Sequence, residues 1–321
     1  MSDPLTVAPR SGCKTFCHFP LELDLDALQA DVAILGLPYG RPYAMEEGTN
    51  DQSNAPNAVR QVSDIACEGL ERWDFDLGGT LFDGQDIRII DCGDVPATPR
   101  DLDAHYLRAE AAVRKILAAG ALPISIGGDH GVPIPIFRAF EDHGPIHLIQ
   151  IDAHLDWRDH LNGEPEGYSS PMRRASEMPH VDRIFQIGLR CQGSARREEF
   201  EAAQAYGADL TTAHELHDKG MDAVLARIPD GERYYITVDA DGMEPGIMPG
   251  VLVPAPGGVT YTQMHKLIHG LVNKGRVVGM DIVEITPSKD VNDITSITAG
   301  RLITNLIGAS VRAGYFRSQT R

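Results

Sequence analysis

The chain has few cysteines, few cationic side chains and no long apolar run, and each shortage excludes a class of protein. Its five cysteines are an odd, scattered set among 321 residues, which predicts no disulfide framework and fits a reducing compartment. No apolar stretch approaches the roughly 20 residues that span a bilayer, and the N-terminal Met-Ser-Asp-Pro lacks a basic segment followed by an apolar one. We therefore expect a cytoplasmic protein.

Cationic residues are outnumbered by acidic ones, 29 against 46, which gives a formal net charge of −17. Nucleic acids and anionic membranes bind clustered cations, so neither is expected as a partner. A cationic substrate would be attracted, although solubility alone explains the same charge. The hydrophobic content of 42% supports a large α/β core, and no repeat or linker divides the chain. We expect a single domain over residues 31–321, after an N-terminal extension over residues 1–30.

Short β-like runs alternate with helical patterns along the chain. This alternation predicts a doubly wound, mostly parallel sheet between two layers of helices. The predicted strands are Val32–Leu37, Ile87–Asp91, Leu122–Ile126, Ile146–Ile151, Arg183–Ile187, Tyr234–Val238 and Val277–Val283. The predicted helices lie near Pro56–Ser63, Leu102–Ala119, Pro133–Glu141, Ala195–Tyr206, Ala213–Ala226, Thr260–Val272 and Asp293–Ala313.

Three motifs directly after predicted strands supply candidate metal ligands. Residues two apart on an extended backbone point to the same side, and the carboxyl ends of parallel strands meet at one edge of the sheet. The ligand set is four carboxylates and two imidazoles without cysteine, which favours Mn²⁺, with Ni²⁺ or Co²⁺ as alternatives, over a thiolate-rich zinc site. The six candidates are His130, Asp152, His154, Asp156, Asp239 and Asp241.

These motifs resemble the signature set of the arginase/agmatinase (ureohydrolase) family, in its agmatinase-like branch. The resemblance rests on order and spacing and extends from about Asp31 through most of the chain. The matching motifs are Gly127-Gly-Asp-His130, Asp152-Ala-His-Leu-Asp156, Asp239-Ala-Asp-Gly-Met-Glu-Pro245 and Gly279-Met-Asp-Ile-Val-Glu284. The resemblance implies a three-layer α/β/α sandwich around an eight-stranded parallel sheet. It also implies an enzyme that hydrolyses a guanidino group to urea and an amine.

The resemblance also implies roles for individual residues. His130, Asp152, Asp156 and Asp239 would bind one metal, and Asp152, His154, Asp239 and Asp241 the other. Two metals close together activate a water for attack on the guanidino carbon. Asp156 would then pass a proton to the departing amine, and Glu284 would pair with the guanidinium nitrogens. His154 and Asp156 thus count as catalytic as well as metal-binding residues. Asp129 and Asp281 are expected to support these side chains through hydrogen bonds.

Three positions depart from the family pattern. Tyr168 stands where a histidine thought to shuttle protons is expected, and a tyrosine, with a pKa near 10, transfers protons poorly at neutral pH. His160 in the same loop is a candidate replacement, although an exposed loop histidine is the simpler reading. Glu244 replaces an aspartate and predicts a changed hydrogen bond rather than a lost metal. Ala55 replaces a glycine, and its loop together with Trp157–Pro171 should form the rim that recognises the substrate.

The sequence therefore predicts a hydrolase for a small cationic guanidino substrate, such as agmatine, or for 4-guanidinobutanoate or a compact guanidine or biguanide. One alternative is a deacetylase-like amidohydrolase of related fold, which needs a single zinc and would leave three of the six ligands unused. Another is a non-catalytic subunit in a hetero-oligomer with a homologous chain. The family resemblance also implies a homo-oligomer, a trimer or hexamer.

Overall fold

The chain forms a three-layer sandwich in which helices cover both faces of one eight-stranded sheet. This computed structural model describes residues 14–44, 50–67, 69–98 and 100–316. All strand pairings in the sheet are parallel, in the order β2-β1-β3-β8-β7-β4-β5-β6. The strands are β1 (Val32–Leu37), β2 (Ile89–Asp94), β3 (Leu122–Gly127), β4 (Ile146–Ile151), β5 (Val181–Leu189), β6 (Asp209–Thr212), β7 (Arg233–Asp239) and β8 (Arg276–Val283). The helices of the described residues are α1 (Ala55–Cys67), α2 (Leu102–Ala118), α3 (Pro133–Ala139), α4 (Pro171–Ala175), α5 (Arg197–Tyr206), α6 (Ala213–Lys219), α7 (Met221–Leu225), α8 (Tyr261–Lys274) and α9 (Ile294–Arg312).

The apolar strands divide their side chains between two cores, one on each face of the sheet. In β1 every residue is buried, and Ile34 packs into one core while Leu35 packs into the other. Helices α1, α8 and α9 cover the first face, and α2, α3 and α5 cover the second. Strands that are covered on both faces are continuous apolar runs, which is why the sequence predicted a parallel sheet. The predicted fold class is confirmed.

Apart from shifted ends of several strands and helices, the elements differ from the sequence prediction in three places. Strand β6 was not predicted, because Asp-Leu-Thr-Thr has little apolar character and forms a strand only by pairing with β5 at the sheet edge. The single helix predicted over Ala213–Ala226 is two helices, since Gly220 has φ 79° and interrupts the helical backbone. The short helix α4 begins where a loop was predicted to end.

Residues 14–30 pack against the sandwich. Phe16 is fully buried, its N–H donates to Asp91 Oδ2 at 2.7 Å, and Leu21 forms a parallel bridge with Asp91. Cys17 is disulfide-bonded, although the sequence predicts no disulfide framework; Cys92 and Cys191 are free. Among the described helices, none combines the length and apolar character needed to cross a membrane.

Candidate metal centre and active site

Six acidic and histidine side chains converge at the carboxyl edge of the sheet. They follow β3, β4 and β7, and the parallel strands bring these ends to one side. The side chains form two overlapping groups, and within each group the possible ligand atoms all lie within 4.8 Å of one another. One group is Asp152, His154, Asp239 and Asp241, and the other is His130, Asp152 and Asp156. The structure thus brings together every metal ligand predicted from the sequence.

His130 is oriented toward the carboxylates by a chain of hydrogen bonds on its far side. Its Nε2 lies 3.2 Å from Thr237 Oγ1, which donates its proton to Asp281 Oδ1 at 2.7 Å. Asp281 also accepts a 2.8 Å hydrogen bond from the Tyr235 hydroxyl. Because Thr237 donates its proton to Asp281, a neutral His130 ring would donate from Nε2 to Thr237 and keep a lone pair on Nδ1. That lone pair faces the metal-ligand cluster.

His130 Nδ1 lies close to three carboxylates of the cluster. Nδ1 lies 3.0, 2.8 and 3.1 Å from carboxylate oxygens of Asp152, Asp156 and Asp239. Within the part of the chain that the structure describes, Nδ1 nevertheless makes no hydrogen bond, and the buried Asp241 Oδ1 also has no partner. Buried polar atoms without partners are rare and costly. Nitrogen and oxygen donors that converge in this way fit bound cations.

Two glutamines on neighbouring strands hold the carboxylates in place, and sequence analysis missed both. Gln150 on β4 donates to Asp152 Oδ2 at 2.6 Å and to Asp156 Oδ2 at 3.3 Å. Gln186 on β5 donates to Gln150 Oε1 at 2.5 Å and to the Leu155 carbonyl at 2.7 Å. Each glutamine is a polar residue within an otherwise apolar strand, and this was the sequence signal that could have identified it as part of the site. The amides fix the carboxylate orientation as outer partners of ligands commonly do.

The cluster carries more negative charge than its own histidines balance. Burial and then the charge of Asp152 raise the pKa of Asp156 to about 7. Burial and then Asp241 raise the pKa of Asp239 well above its usual range. Burial opposes a charge on His154, but the hydrogen bonds that its ring donates to the Asp152 and Asp241 carboxylates outweigh burial and raise its pKa. Carboxylates this strongly perturbed are typical of a site that a cation stabilises.

Glu284 lies beside this cluster at the end of β8, in a backbone conformation that few side chains adopt. Its φ is 65°, and Asp156 has a similar value of 52°. Non-glycine residues in this region cost about 1–3 kcal/mol and concentrate at functional sites. Glu284 Oε1 accepts the His130 N–H at 2.8 Å, and Oε2 accepts the side-chain amide of Gln52. Burial and then Asp129 raise the pKa of Glu284 well above its usual range.

Gln52 reaches Glu284 from a distant part of the chain and was not predicted. It lies in a 3-10 helix over Asp51–Asn54, and only 6% of its surface is exposed. This helix is attached to the segment after Glu284, because Asp51 Oδ2 accepts the Ser288 N–H at 2.7 Å. The sequence predicted this loop as part of a rim but gave no signal for the contact itself.

The cluster opens into a cleft of about 250 Å³. Both loops predicted to form the rim contribute to it, and no lysine or arginine is among the described lining residues. Tyr168 is half-buried in this lining, with its ring centre 4.7 Å from that of Tyr43. The lining residues are Pro42, Asn50, Gln52, Asp129, His130, His154, Asp156, Tyr168, Ser169, Ser194, Asp239, Asp241, Leu252, Val253 and Glu284.

His160 does not join the other candidates. Its side chain is 64% exposed, and its Nδ1 lies 3.0 Å from a carboxylate oxygen of Asp159 at the protein surface. Glu244 accepts N–H groups of Gly257 and Gly258, each at 2.8 Å, and so closes the loop that carries Val253. Glu244 belongs to neither metal-ligand group.

Arg190 fixes the turn that carries Asp241, and sequence analysis missed it. Its buried guanidinium donates only to backbone carbonyls of the described residues. These are the carbonyls of Gly188, Asp241, Gly242, Met243 and Ala255. One side chain therefore joins the end of β5, the turn after β7 and the loop behind the cleft.

Comparison with known proteins supports this fold and identifies a family. The model of the Arginase family matches residues 30–308. Guanidinopropionase from Pseudomonas aeruginosa is 33% identical over 95% of this chain and 95% of its own length. Agmatinase from Proteus mirabilis is 29% identical over 91% of each chain. The structure of proclavaminate amidino hydrolase from Streptomyces clavuligerus has a TM-score of 0.82 and 27% identity over 95% of this chain and 100% of that one. This chain belongs to the arginase family.

Proposed function

We propose that this protein is a dinuclear metal-dependent hydrolase that cleaves the C–N bond of a guanidino compound and releases urea and an amine. The observation that carries the proposal is the pair of overlapping ligand groups beside the buried carboxylate of Glu284. The family relatives support it, because guanidinopropionase and agmatinase are named for guanidino substrates.

The donors fit two divalent ions. His130, Asp152, Asp156 and Asp239 would hold one, and Asp152, His154, Asp239 and Asp241 the other. The oxygen and nitrogen donors favour Mn²⁺, with Ni²⁺ or Co²⁺ as alternatives. When bound, such ions would lower the pKa of a water molecule toward neutrality and so supply a nucleophile.

The protein's own residues would orient the substrate and move the proton. Glu284 Oε2 would accept N–H groups of the planar guanidinium, and Gln52, which contacts the same oxygen, has a carbonyl that could accept another. A fixed orientation places the guanidino carbon toward the ligand cluster. Asp156 Oδ2, held by Gln150, would receive a proton and deliver it to the departing amine.

The charge of the cleft favours a substrate whose remaining groups are neutral or cationic. Six carboxyl groups lie in the cluster and cleft lining, and two divalent ions would neutralise four of those charges. Arg41, which precedes the lining residue Pro42 in the chain, lies 2.7 Å from Asp103 and packs over the Tyr106 ring. A carboxylate on the substrate would meet no cation among the described lining residues. We therefore rank agmatine and compact guanidines or biguanides ahead of 4-guanidinobutanoate.

A urea-release screen with a guanidino panel and each of Mn²⁺, Ni²⁺ and Co²⁺ tests this function. We expect urea from a cationic member and about two metal ions per chain. No urea from any substrate and metal combination would contradict the proposal. Release of acetate from acetylated amines, with about one zinc per chain, would favour the deacetylase alternative instead. That alternative leaves half of the convergent donors unused.

Replacing Gln52 with leucine should weaken substrate orientation without removing metal. The change keeps the volume but leaves the buried Glu284 Oε2 without its donor, at a cost of about 1–3 kcal/mol. We expect kcat/KM to fall roughly 5- to 150-fold, with the metal content per chain unchanged. The exposed Gln204 on α5 gives the control, Gln204→Leu. Full activity of Gln52→Leu would remove Gln52 from the site.

Tyr168 remains in the proposed catalytic set, whereas His160, exposed and outside the cleft lining, does not. Tyr168→Phe should lower kcat/KM about 2- to 13-fold, the effect of one lost hydrogen bond. Steady-state urea release measures this effect, and Tyr206→Phe is the control at a half-buried tyrosine outside the cleft lining. Equal rates for Tyr168→Phe and the wild type would mean that the hydroxyl does not contact substrate.

The remaining assignments extend this proposal. We propose residues 31–321 as the catalytic domain and residues 1–30 as its N-terminal extension. A homo-oligomer, trimer or hexamer, is the expected assembly, and a hetero-oligomer with a homologous chain is the alternative. The cytoplasmic location stays a prediction from the sequence.

A further inference from the structure

The loop that carries Tyr168 into the cleft packs against Tyr43, a residue from a distant part of the chain. Tyr43 is only 6% exposed. Its hydroxyl accepts the Ser169 N–H at 3.1 Å and lies 2.9 Å from Ser170 Oγ. Its ring centre lies 4.7 Å from that of Tyr168, with 61° between the ring planes, an arrangement that aromatic pairs favour. Tyr43 thus contacts three consecutive residues of the loop.

The fit between this loop and Tyr43 is close. A β-carbon added at Gly167 would lie 2.3 Å from the Tyr43 ring, so a larger residue would have to displace the ring. Glycine at this position lets the ring approach the backbone beside Tyr168. Earlier in the loop, the side-chain amide of Asn162 donates to the Tyr43 carbonyl at 3.2 Å. The contact therefore extends along the loop from Asn162 to Ser170.

Arg41 holds the same loop through its backbone and its charge. Its backbone forms a parallel bridge with Gly167. Its guanidinium lies 3.5 Å from carboxylate oxygens of both Glu164 and Glu166. The Glu166 carbonyl also accepts a 3.1 Å hydrogen bond from the Tyr106 hydroxyl on α2. These contacts fix the loop on the short segment that contains both the arginine and the tyrosine.

Tyr43 lies outside the cleft lining, although it contacts a residue inside it. Tyr168 lines the cleft, whereas Tyr43 is not among the described lining residues and instead lines a neighbouring cavity of about 280 Å³. A displacement of about 1 Å at a reacting centre can cost about 100-fold in rate, even when the changed residue is remote from it. The placement of Tyr43 therefore suits control of the Tyr168 position.

We propose that Tyr43 is a positioning residue that holds the Tyr168 ring in the wall of the cleft. The ring pair sets the orientation of Tyr168, and the hydrogen bond from the Ser169 N–H fixes the backbone beside it. This inference rests on the proposed function, because the cleft wall affects turnover only if the substrate binds there. It extends that function to a residue behind the cleft.

A double-mutant cycle in kcat/KM for urea release tests the assignment, because residues that act through one another have non-additive effects. Tyr43→Leu removes the supporting ring and hydroxyl, and Tyr168→Leu removes the ring that lines the cleft. We expect Tyr43→Leu to lower kcat/KM about 10- to 100-fold in the wild type, but about 2-fold or less in the Tyr168→Leu background. A role confined to fold stability would give the same factor in both backgrounds. The metal content per chain should be unchanged in all variants.

Two further variants complete the experiment. Tyr43→Phe keeps the ring pair and removes only the hydroxyl, so it should restore part of the activity and lose about 2- to 13-fold relative to the wild type. The cycle is run with Tyr43→Phe if circular dichroism shows that Tyr43→Leu does not fold.

Tyr315 gives the matched control. Its hydroxyl accepts the Val277 N–H at 2.9 Å, and its ring centre lies 6.2 Å from that of Phe316. It therefore has the same two kinds of contact as Tyr43 but is not among the described lining residues of the cleft or of the neighbouring cavity. We expect Tyr315→Leu to leave kcat/KM unchanged.

Three outcomes would overturn the assignment alone. The first is an equal factor for Tyr43→Leu in the wild type and in Tyr168→Leu. The second is wild-type kcat/KM in Tyr43→Leu, and the third is wild-type kcat/KM in Tyr168→Leu. Absence of urea from the wild type with every substrate and metal is distinguishable from all three. It would contradict the proposed function, and this assignment with it.

Discussion

Replacing Asp239 with asparagine is expected to reduce metal binding and urea release together. Asp239 belongs to one ligand group and lies 3.1 Å from His130 Nδ1 in the other, so both proposed ions would lose a carboxylate. The loss of an outer partner of a metal ligand costs 10- to 100-fold. We expect the loss of a shared ligand to exceed about 100-fold in kcat/KM, with metal content falling below two per chain by elemental analysis.

The same variant should affect stability in opposite directions with and without metal. Burial and then Asp241 raise the pKa of Asp239, so ionising it at neutral pH destabilises the metal-free fold. This destabilisation applies at pH values above the ordinary carboxyl pKa, and a neutral asparagine at position 239 removes it. We therefore expect the metal-free Tm of Asp239→Asn to equal or exceed that of the wild type. The rise in Tm on metal addition should be much smaller than in the wild type, because ligand-linked stability depends on affinity.

Asp218→Asn is the matched control, since Asp218 is an exposed residue on α6. It removes one carboxylate from the chain and should change neither metal content nor the response of Tm to metal. Two tightly bound ions and wild-type turnover in Asp239→Asn would contradict the shared-ligand assignment. A lower metal-free Tm would show that the hydrogen bond from the Asp241 N–H, at 2.8 Å, outweighs the charge effect.

Replacing Glu284 with glutamine should separate substrate binding from metal binding. The glutamine side chain has nearly the same size as glutamate but lacks the negative charge that would face the guanidinium. Loss of one partner from a buried charge pair costs about 2–5 kcal/mol, which corresponds to about a 30- to 4,000-fold decrease in kcat/KM. Metal content should stay near two per chain, because Glu284 is in neither ligand group.

The arrangement around Glu284 makes this substitution informative. Both Glu284 oxygens accept hydrogen bonds, one from the His130 N–H and one from Gln52. In the glutamine variant the NH₂ group replaces one of these oxygens, so it must face a hydrogen-bond donor instead of an acceptor. Glu244→Gln is the control, because the Glu244 side chain accepts the N–H groups of Gly257 and Gly258 and is not part of the cleft lining. Unchanged kcat/KM in Glu284→Gln would exclude Glu284 as the guanidinium partner. A loss of metal would instead assign it to the metal centre.

The sequence was a good guide wherever a feature depends on neighbouring residues. Seven strands were predicted from apolar runs, and the ends of β1 and β4 match the structure. The ligands after β4 lie two apart, and extended backbone sends such side chains to one side. These features need only local geometry and one general rule about parallel sheets. The convergence of the six ligands follows from both.

The features that the sequence did not reveal depend on contacts between distant segments. Gln52 meets Glu284 across 232 positions of the chain, and Gln150 meets Gln186 across 36. Arg190 bonds carbonyls more than 50 positions away. Strand β6 forms only because β5 offers its edge. No local pattern encodes such pairings, because they depend on how the elements pack.

The sequence by itself determined the layered α/β class, the six ligand types and their common edge, because hydrophobic periodicity and two-residue spacing are local properties. The tertiary structure alone decided which side chains complete the site. It places Tyr168 in the cleft and His160 in solvent, although the two lie in one loop. It also inserts β8, and with it Glu284, between β3 and β7. The physical reason is that packing and strand order depend on many weak interactions between distant segments of the chain. The residues of one short segment do not determine these interactions.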